Sequence, residues 1–271
     1  MKRVLLLFGD NSSEHLVSCR SAKCILENID TSKYRIDSVG ISKENEWFLF
    51  SDDLQYLEDG TWLRVSKNRP ILNPVFFIHQ YDVIFPIIHG TNGEDGKLQG
   101  FLDLFHIPYV GCKTLSSALG MDKAMAKQIF TYHKIPQVPY ISVNKDYDIL
   151  KIEEQIDYPM IVKPSNGGSS IGISKVEARK DLKKALKLAF HYDQEAIVES
   201  FMHVRELECA ILEENGEIKA STVGEVLSAN EFYDYEAKYE NKESQTVIPT
   251  SLPNEIIEQI REYAKSAFQA I

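Results

Sequence analysis

Lys163 closes an apolar run at 159–163 and opens the stretch Pro164-Ser165-Asn166-Gly167-Gly168-Ser169-Ser170-Ile171-Gly172. Three glycines let backbone N–H groups converge on an anion, two serines add hydroxyl donors, and the lysine supplies a fixed cation at the strand end. That is the chemistry of a flap gripping a phosphate. A flexible hairpin tip has the same composition, and residues 168–172 also fit the G-x-S-x-G nucleophile elbow of hydrolases. An elbow needs a helix directly after its serine. Residues 171–176 alternate like a strand instead, which favours the flap. No Walker A motif occurs, residues 93–98 imitating only part of one, and no G-x-G-x-x-G fingerprint supports a Rossmann dehydrogenase.

Carboxylates and imidazoles form the other candidates. Glu14 follows the first apolar strand and His89-Gly90 ends the third, so two parallel strands would deliver both side chains to one sheet edge. Taken singly, Glu14 is also what a helix dipole favours in a first turn, and His89 is also what a satisfied core histidine looks like. Glu199 ends a later strand and Glu206 follows soon after. Carboxylates there could hold a ribose or an amine, or simply be solvated. Residues 232–239, Phe-Tyr-Asp-Tyr-Glu-Ala-Lys-Tyr, form an aromatic loop that could equally be a surface feature.

The elements that must position these groups read as an open parallel α/β domain followed by α+β segments. Residues 2–8 form a buried strand, Ser12 or Ser13 caps a helix towards Asn28, 35–41 and 81–88 are further strands, and a helix follows the glycine-rich 91–96. This first domain spans 1–111. In 112–197 a helix at 121–133 precedes strands at 138–143 and 159–163. A hairpin partner at 171–176 and an amphipathic helix at 178–191 follow. The last domain, 198–271, holds strands at 207–212 and 218–226, after one at 196–201, and a helix from Pro253.

The 271 residues carry 30 Lys and Arg against 40 Asp and Glu, a net charge of −10 that repels phosphate backbones and anionic lipid. Neither nucleic acid nor membrane is an expected partner. The run at 4–8 is too short for a signal peptide, and no stretch approaches the roughly 18 apolar residues of a membrane span. Four cysteines without a Cys-x-x-Cys suggest reduced thiols, hence a cytoplasmic protein.

Taken together the motifs resemble D-alanine:D-alanine ligases of the ATP-grasp superfamily. The resemblance rests on Phe8-Gly9 with Ser13-Glu14-His15-x-Val17-Ser18, His89-Gly90 with Gly93-Glu94-Asp95-Gly96-x-Leu98-Gln99-Gly100, Met121-Asp122-Lys123, the 163–172 flap and the 232–239 loop, in the family's order along essentially the whole chain. It implies an ATP-grasp fold and ligation of two D-alanines to D-alanyl-D-alanine through an acyl phosphate, for peptidoglycan precursors. Glu14 would hold the ammonium of the first D-alanine, with His89 beside its carboxylate. Lys123 and Lys163 would contact the phosphates of ATP, and Ser169 and Ser170 would close over substrate and phosphate. Glu199 and Met202 would sit at the adenine, Glu206 at the ribose and Lys238 near the γ-phosphate, while Tyr239 would hydrogen-bond towards Ser169 and Glu14. Val204 stands where the family often has glycine.

By the resemblance, the family's Arg-x-Asp and Glu-x-Asn strands, which supply the oxyanion arginine and the Mg2+ ligands, follow the last helix, and the sequence reaches only Ile271. Those ligands are expected beyond Ile271, no metal ligand is assigned within the chain, and a polypeptide stopping there is expected to be inactive. A homodimer is the expected assembly. The alternatives are a D-alanine:D-serine ligase, another ATP-grasp carboxylate-amine ligase, and a nucleotide-binding fragment without activity; Tyr239 argues against D-lactate as second substrate.

Overall fold

The computed structural model describes residues 1–227 and 245–271. It divides into two compact units, Met1–Ala118 and Leu119–Ile271.

The first unit is built on β1 (Lys2–Gly9), followed by α1 (His15–Asn28), β2 (Tyr34–Ile41), β3 (Trp47–Phe50), the short helices α2 (Gln55–Glu58), α3 (Leu63–Ser66) and α4 (Pro74–Ile78), β4 (Val83–Pro86) and α5 (Lys97–Leu104). The sheet order is β3-β2-β1-β4. β1 pairs in parallel with β2 and with β4, and β3 is an antiparallel edge strand. Residues of β1 point alternately to the two faces: Leu5 and Leu7 join Val39, Ile84 and Leu102, whereas Leu6 and Phe8 join Cys19, Ala22 and Trp62. Both faces are covered, which explains an unbroken apolar run where a one-sided sheet would alternate.

The structure adds two features to the expected pattern. β3 is only four residues long, and its partner is the strand immediately before it. The cap of α1 is Glu14 and not Ser12 or Ser13, and it makes no side-chain capping bond. Ser12 Oγ accepts the Glu14 N–H at 3.3 Å and donates across the sheet to the His89 carbonyl at 2.9 Å.

A helix α6 (Thr114–Met121) spans the boundary between units, and α7 (Lys123–Tyr132) follows directly. Asp122 separates them: its Oδ1 accepts from the Met125 N–H at 3.1 Å, an N-cap that restarts the helix one residue before Lys123. Then come β5 (Tyr140–Asn144), α8 (Ile149–Glu153), β6 (Met160–Pro164), β7 (Ser174–Val176), α9 (Arg179–Tyr192) and β8 (Glu195–Ser200). They form an antiparallel sheet of order β5-β8-β6-β7. Met160, Val162, Ala196 and Val198 face Leu182, Ala185, Leu186 and Ala189 of α9 in one core. The period of two therefore turns Lys163 and Glu199 to the opposite face.

A second antiparallel sheet of order β11-β10-β9 combines β9 (Glu206–Glu214), β10 (Glu217–Leu227) and β11 (Gln245–Val247), with α10 (Asn254–Ala270) packed on β9 and β10. No helix among the described residues is long and apolar enough to cross a membrane.

Candidate functional site

The candidate residues fall into one group in each unit. In the first unit, β1 and β4 run parallel and end together, so the β1–α1 turn and the loop after β4 emerge at the same edge. Ser18, fully buried on α1, ties them: its Oγ accepts from the Gly9 N–H at 2.8 Å and donates to the Ile87 carbonyl at 2.6 Å. Asn92 adds a second tie, donating from Nδ2 to Asp10 Oδ2 at 2.8 Å and to Asn11 Oδ1 at 2.9 Å.

Glu14 is buried in this frame, and its carboxylate lies over Gly90. A methyl group added at Gly90 would stand 2.2 Å from Glu14 Oε2, and Gly90 has φ of +74°, so glycine is required there twice over. His89 sits one residue before it. Its Nε2 is 3.0 Å from Ser21 Oγ, and its Nδ1 is 3.6 Å from Glu94 Oε1. Glu94 also accepts the Gly90 N–H at 2.9 Å. Burial pushes the Glu94 carboxyl up, but the bonds from His89 and Gly90 outweigh it and leave the group below its ordinary range. The sheet edge thus presents a buried carboxylate beside an imidazole, a pair suited to a small zwitterion.

In the second unit, the β6–β8 register sets Lys163 opposite Ile197 and leaves Glu199 as its diagonal neighbour on the same face. Lys163 Nζ and Glu199 Oε1 form an ion pair, and Lys127 Nζ reaches Glu199 Oε2 at 3.1 Å. Burial raises the Glu199 carboxyl, yet the two ammonium groups more than offset that and hold it ionised. Lys127 also stacks on the Tyr140 ring at 4.6 Å.

Lys123 donates from Nζ to the carbonyls of Gly167, at 2.6 Å, and Ser165, at 3.2 Å, so it holds the base of the loop that follows β6. Burial, reinforced by the neighbouring Lys163 charge, lowers its pKa to about 8. Ser165 Oγ bonds to Asp122 at 2.8 Å and accepts the Ala124 N–H, fastening the loop to the start of α7. In the loop, Gly167 and Gly172 have φ of +124° and +76°, and Ser169 and Ser170 also adopt positive φ, +50° and +60°. A strand, β7, follows Ser170, so the nucleophile-elbow reading lacks the helix it requires. Met202 and Glu206 are exposed, Glu206 as the first residue of β9. Lys238, Tyr239 and the rest of the 232–239 loop lie outside the described residues.

Both halves of the chain match models of one family: residues 3–112 match "D-ala D-ala ligase N-terminus" and residues 129–271 match "D-ala D-ala ligase C-terminus". The chain belongs to the D-alanine–D-alanine ligase family. The D-alanine–D-alanine ligase of Acetivibrio thermocellus is 42% identical, over 100% of this chain and 80% of that protein. That of Halothermothrix orenii is 43% identical, over 99% and 81%. Among solved structures, the VanG D-Ala:D-Ser ligase from Enterococcus faecalis has a TM-score of 0.86 at 34% identity, covering 99% of this chain and 82% of that one. The ligase from Coxiella burnetii gives 0.84 at 29%, covering 99% and 77%. The fold is therefore ATP-grasp, and the family is one of ATP-dependent ligases.

The donor set around Lys123, Lys163 and the 165–172 loop fits a polyphosphate: two ammonium groups, two serine hydroxyls and a loop whose backbone passes through positive φ at Gly167, Ser169, Ser170 and Gly172. Mg2+ is a different case. Among the described residues no group of three or more His, Cys, Asp or Glu side chains could hold a metal ion.

Lys127 and Asn92 are not among the sequence candidates, and Ser18 enters there only as the last residue of the 13–18 motif. Lys127 stands four residues after Lys123 on one helix, a spacing that puts both ammonium groups on the same face. Nothing local marks the tie that Asn92 makes, because its partner Asp10 lies 82 residues away.

Proposed function

We propose that this protein joins two D-alanines to D-alanyl-D-alanine at the expense of ATP, for peptidoglycan precursors. The observation that carries the reading is identity above 40%, along the whole chain, to relatives bearing that name. A carboxylate is a poor acyl donor, so ATP first converts that of the first D-alanine into an acyl phosphate, which the amine of the second attacks.

In this reading Glu14 holds the ammonium of the first D-alanine and His89 flanks its carboxylate. Lys123 and Lys163 neutralise the transferring phosphate, the kind of preorganised charge that dominates phosphoryl transfer. Ser169 and Ser170 cover substrate and phosphate and help exclude the water that would hydrolyse an acyl phosphate. Glu199 and Met202 border the adenine, Glu206 takes the ribose, Lys238 approaches the γ-phosphate, and Tyr239 closes the site towards Ser169 and Glu14. Mg2+ belongs to this chemistry, with ligands outside the described residues. Residues 1–111, 112–197 and 198–271 serve as substrate domain, central ATP-grasp domain and last ATP-grasp domain. Cytoplasmic location and a homodimer complete the reading, the latter tested by sedimentation.

The likeness to VanG favours one second reading, D-serine as the acceptor. Mass spectrometry of products from an equimolar mixture of D-alanine and D-serine decides: a predominance of D-alanyl-D-alanine supports the first reading, and a predominance of D-alanyl-D-serine replaces it with the second.

A further inference from the structure

His15 has no role in the reading above, although it adjoins Glu14. Its ring is held at both nitrogens. Trp62 Nε1, an obligate donor, points at His15 Nε2 at 3.1 Å, and His15 Nδ1 lies 2.5 Å from the carbonyl of Asp10, an obligate acceptor. Only one protonation state satisfies both bonds: Nε2 bare, Nδ1 carrying the proton. An imidazolium would present an N–H to the indole N–H.

Neither anchor can drift. Trp62 is 1% exposed and stacks edge-on against Phe8 at 5.1 Å, and a methyl on Gly40 would stand 2.4 Å from its ring. Asp10 has φ of +80° directly after Gly9 at +93°, so the chain reverses through two left-handed residues, a conformation that non-glycine residues rarely adopt. The Asp10 N–H donates to the Ile41 carbonyl at 2.7 Å, and its carboxylate accepts from Asn92. The His15 bond to the Asp10 carbonyl closes this turn on itself, with Glu14 inside the closed segment.

We infer that His15 is a positioning residue: a neutral imidazole with its proton at Nδ1 that relays the rigidity of the Trp62 core to the β1–α1 turn and thereby aims the Glu14 carboxylate. The inference rests on the reading of Glu14 as the ammonium site. Loss of that aim weakens D-alanine binding without touching the nucleotide, since the residues assigned to ATP belong to the other unit.

Two measurements test it. Two-bond 15N–1H spectra of the wild-type protein should show a protonated Nδ1 and a bare Nε2 for His15; the opposite tautomer or a cationic ring at neutral pH overturns the assignment. Calorimetric titration should show His15→Phe binding D-alanine roughly tenfold more weakly with ATP affinity unchanged, as expected for a lost orienting hydrogen bond. His15→Asn, whose Nδ2 can donate to the Asp10 carbonyl, should recover most of that loss. Wild-type affinity in a folded His15→Phe, or equal losses in the two variants, overturns the positioning role. A wild-type protein that binds no D-alanine removes the Glu14 reading and with it the aim ascribed to His15, while the spectrum still decides the tautomer.

Discussion

Lys123 shows how a single half-buried cation can report on the ligand proposed for it. With a pKa lowered to about 8 from an ordinary 10.5, the folded state holds this proton less tightly than the unfolded chain does. Lys123 therefore opposes folding below about pH 8, and that opposition fades as the pH rises from about 8 towards 10.5. Relative to Lys123→Met, the nucleotide-free protein should gain stability over that window in thermal melts. Phosphate oxygens reverse the balance by favouring the charged form, so ATP binding near pH 8.5 should take up a fraction of a proton, read as a dependence of the calorimetric enthalpy on the ionisation heat of the buffer. Lys163 makes a second case. It shares Glu199 with Lys127, so Lys163→Met should leave that carboxylate paired and the fold intact while removing the phosphate contact proposed for Lys163. Turnover should fall by about 10²–10³, typical for loss of a preorganised charge donor, and unchanged turnover would remove Lys163 from the site.

Two turns carry the site at the scale of elements. Gly90 admits no side chain, because a Cβ would collide with Glu14 and its φ is +74°. Gly90→Ala should abolish D-alanine binding while leaving ATP binding, seen by titration of both ligands; retained D-alanine affinity would show that the Glu14 carboxylate is free to move aside. The sheet edge itself was legible in the sequence, since β1 and β4 are continuous apolar runs ending in glycine-containing loops, which set Glu14 and His89 at one edge before any coordinates. The β6–β7 hairpin was legible for the same reason, an alternating run after small residues. Helix α6 was not: the expected helix starts at Met121, and eight residues from Thr114 are too few to stand out as a separate helix before the Asp122 cap of α7. Nor was the lysine pair on Glu199, which depends on the diagonal register of β6 and β8. β3 escaped notice because four residues are too few to display a period.

At the scale of the molecule, the match to one ligase family along both halves and the ammonium and phosphate sites proposed above point to one overall reaction, in which the carboxylate oxygen of the first D-alanine ends in phosphate. When the amine of the second D-alanine attacks the acyl phosphate, the C–O bond to phosphate breaks, and one oxygen of the original carboxylate leaves with the phosphoryl group. The most direct test uses D-alanine labelled with 18O in its carboxylate, ATP and Mg2+, with the enzyme as its organism makes it, followed by mass analysis of phosphate and dipeptide. The account predicts one 18O in each phosphate released and one D-alanyl-D-alanine per ATP consumed. Unlabelled phosphate, or phosphate release without dipeptide, would contradict it.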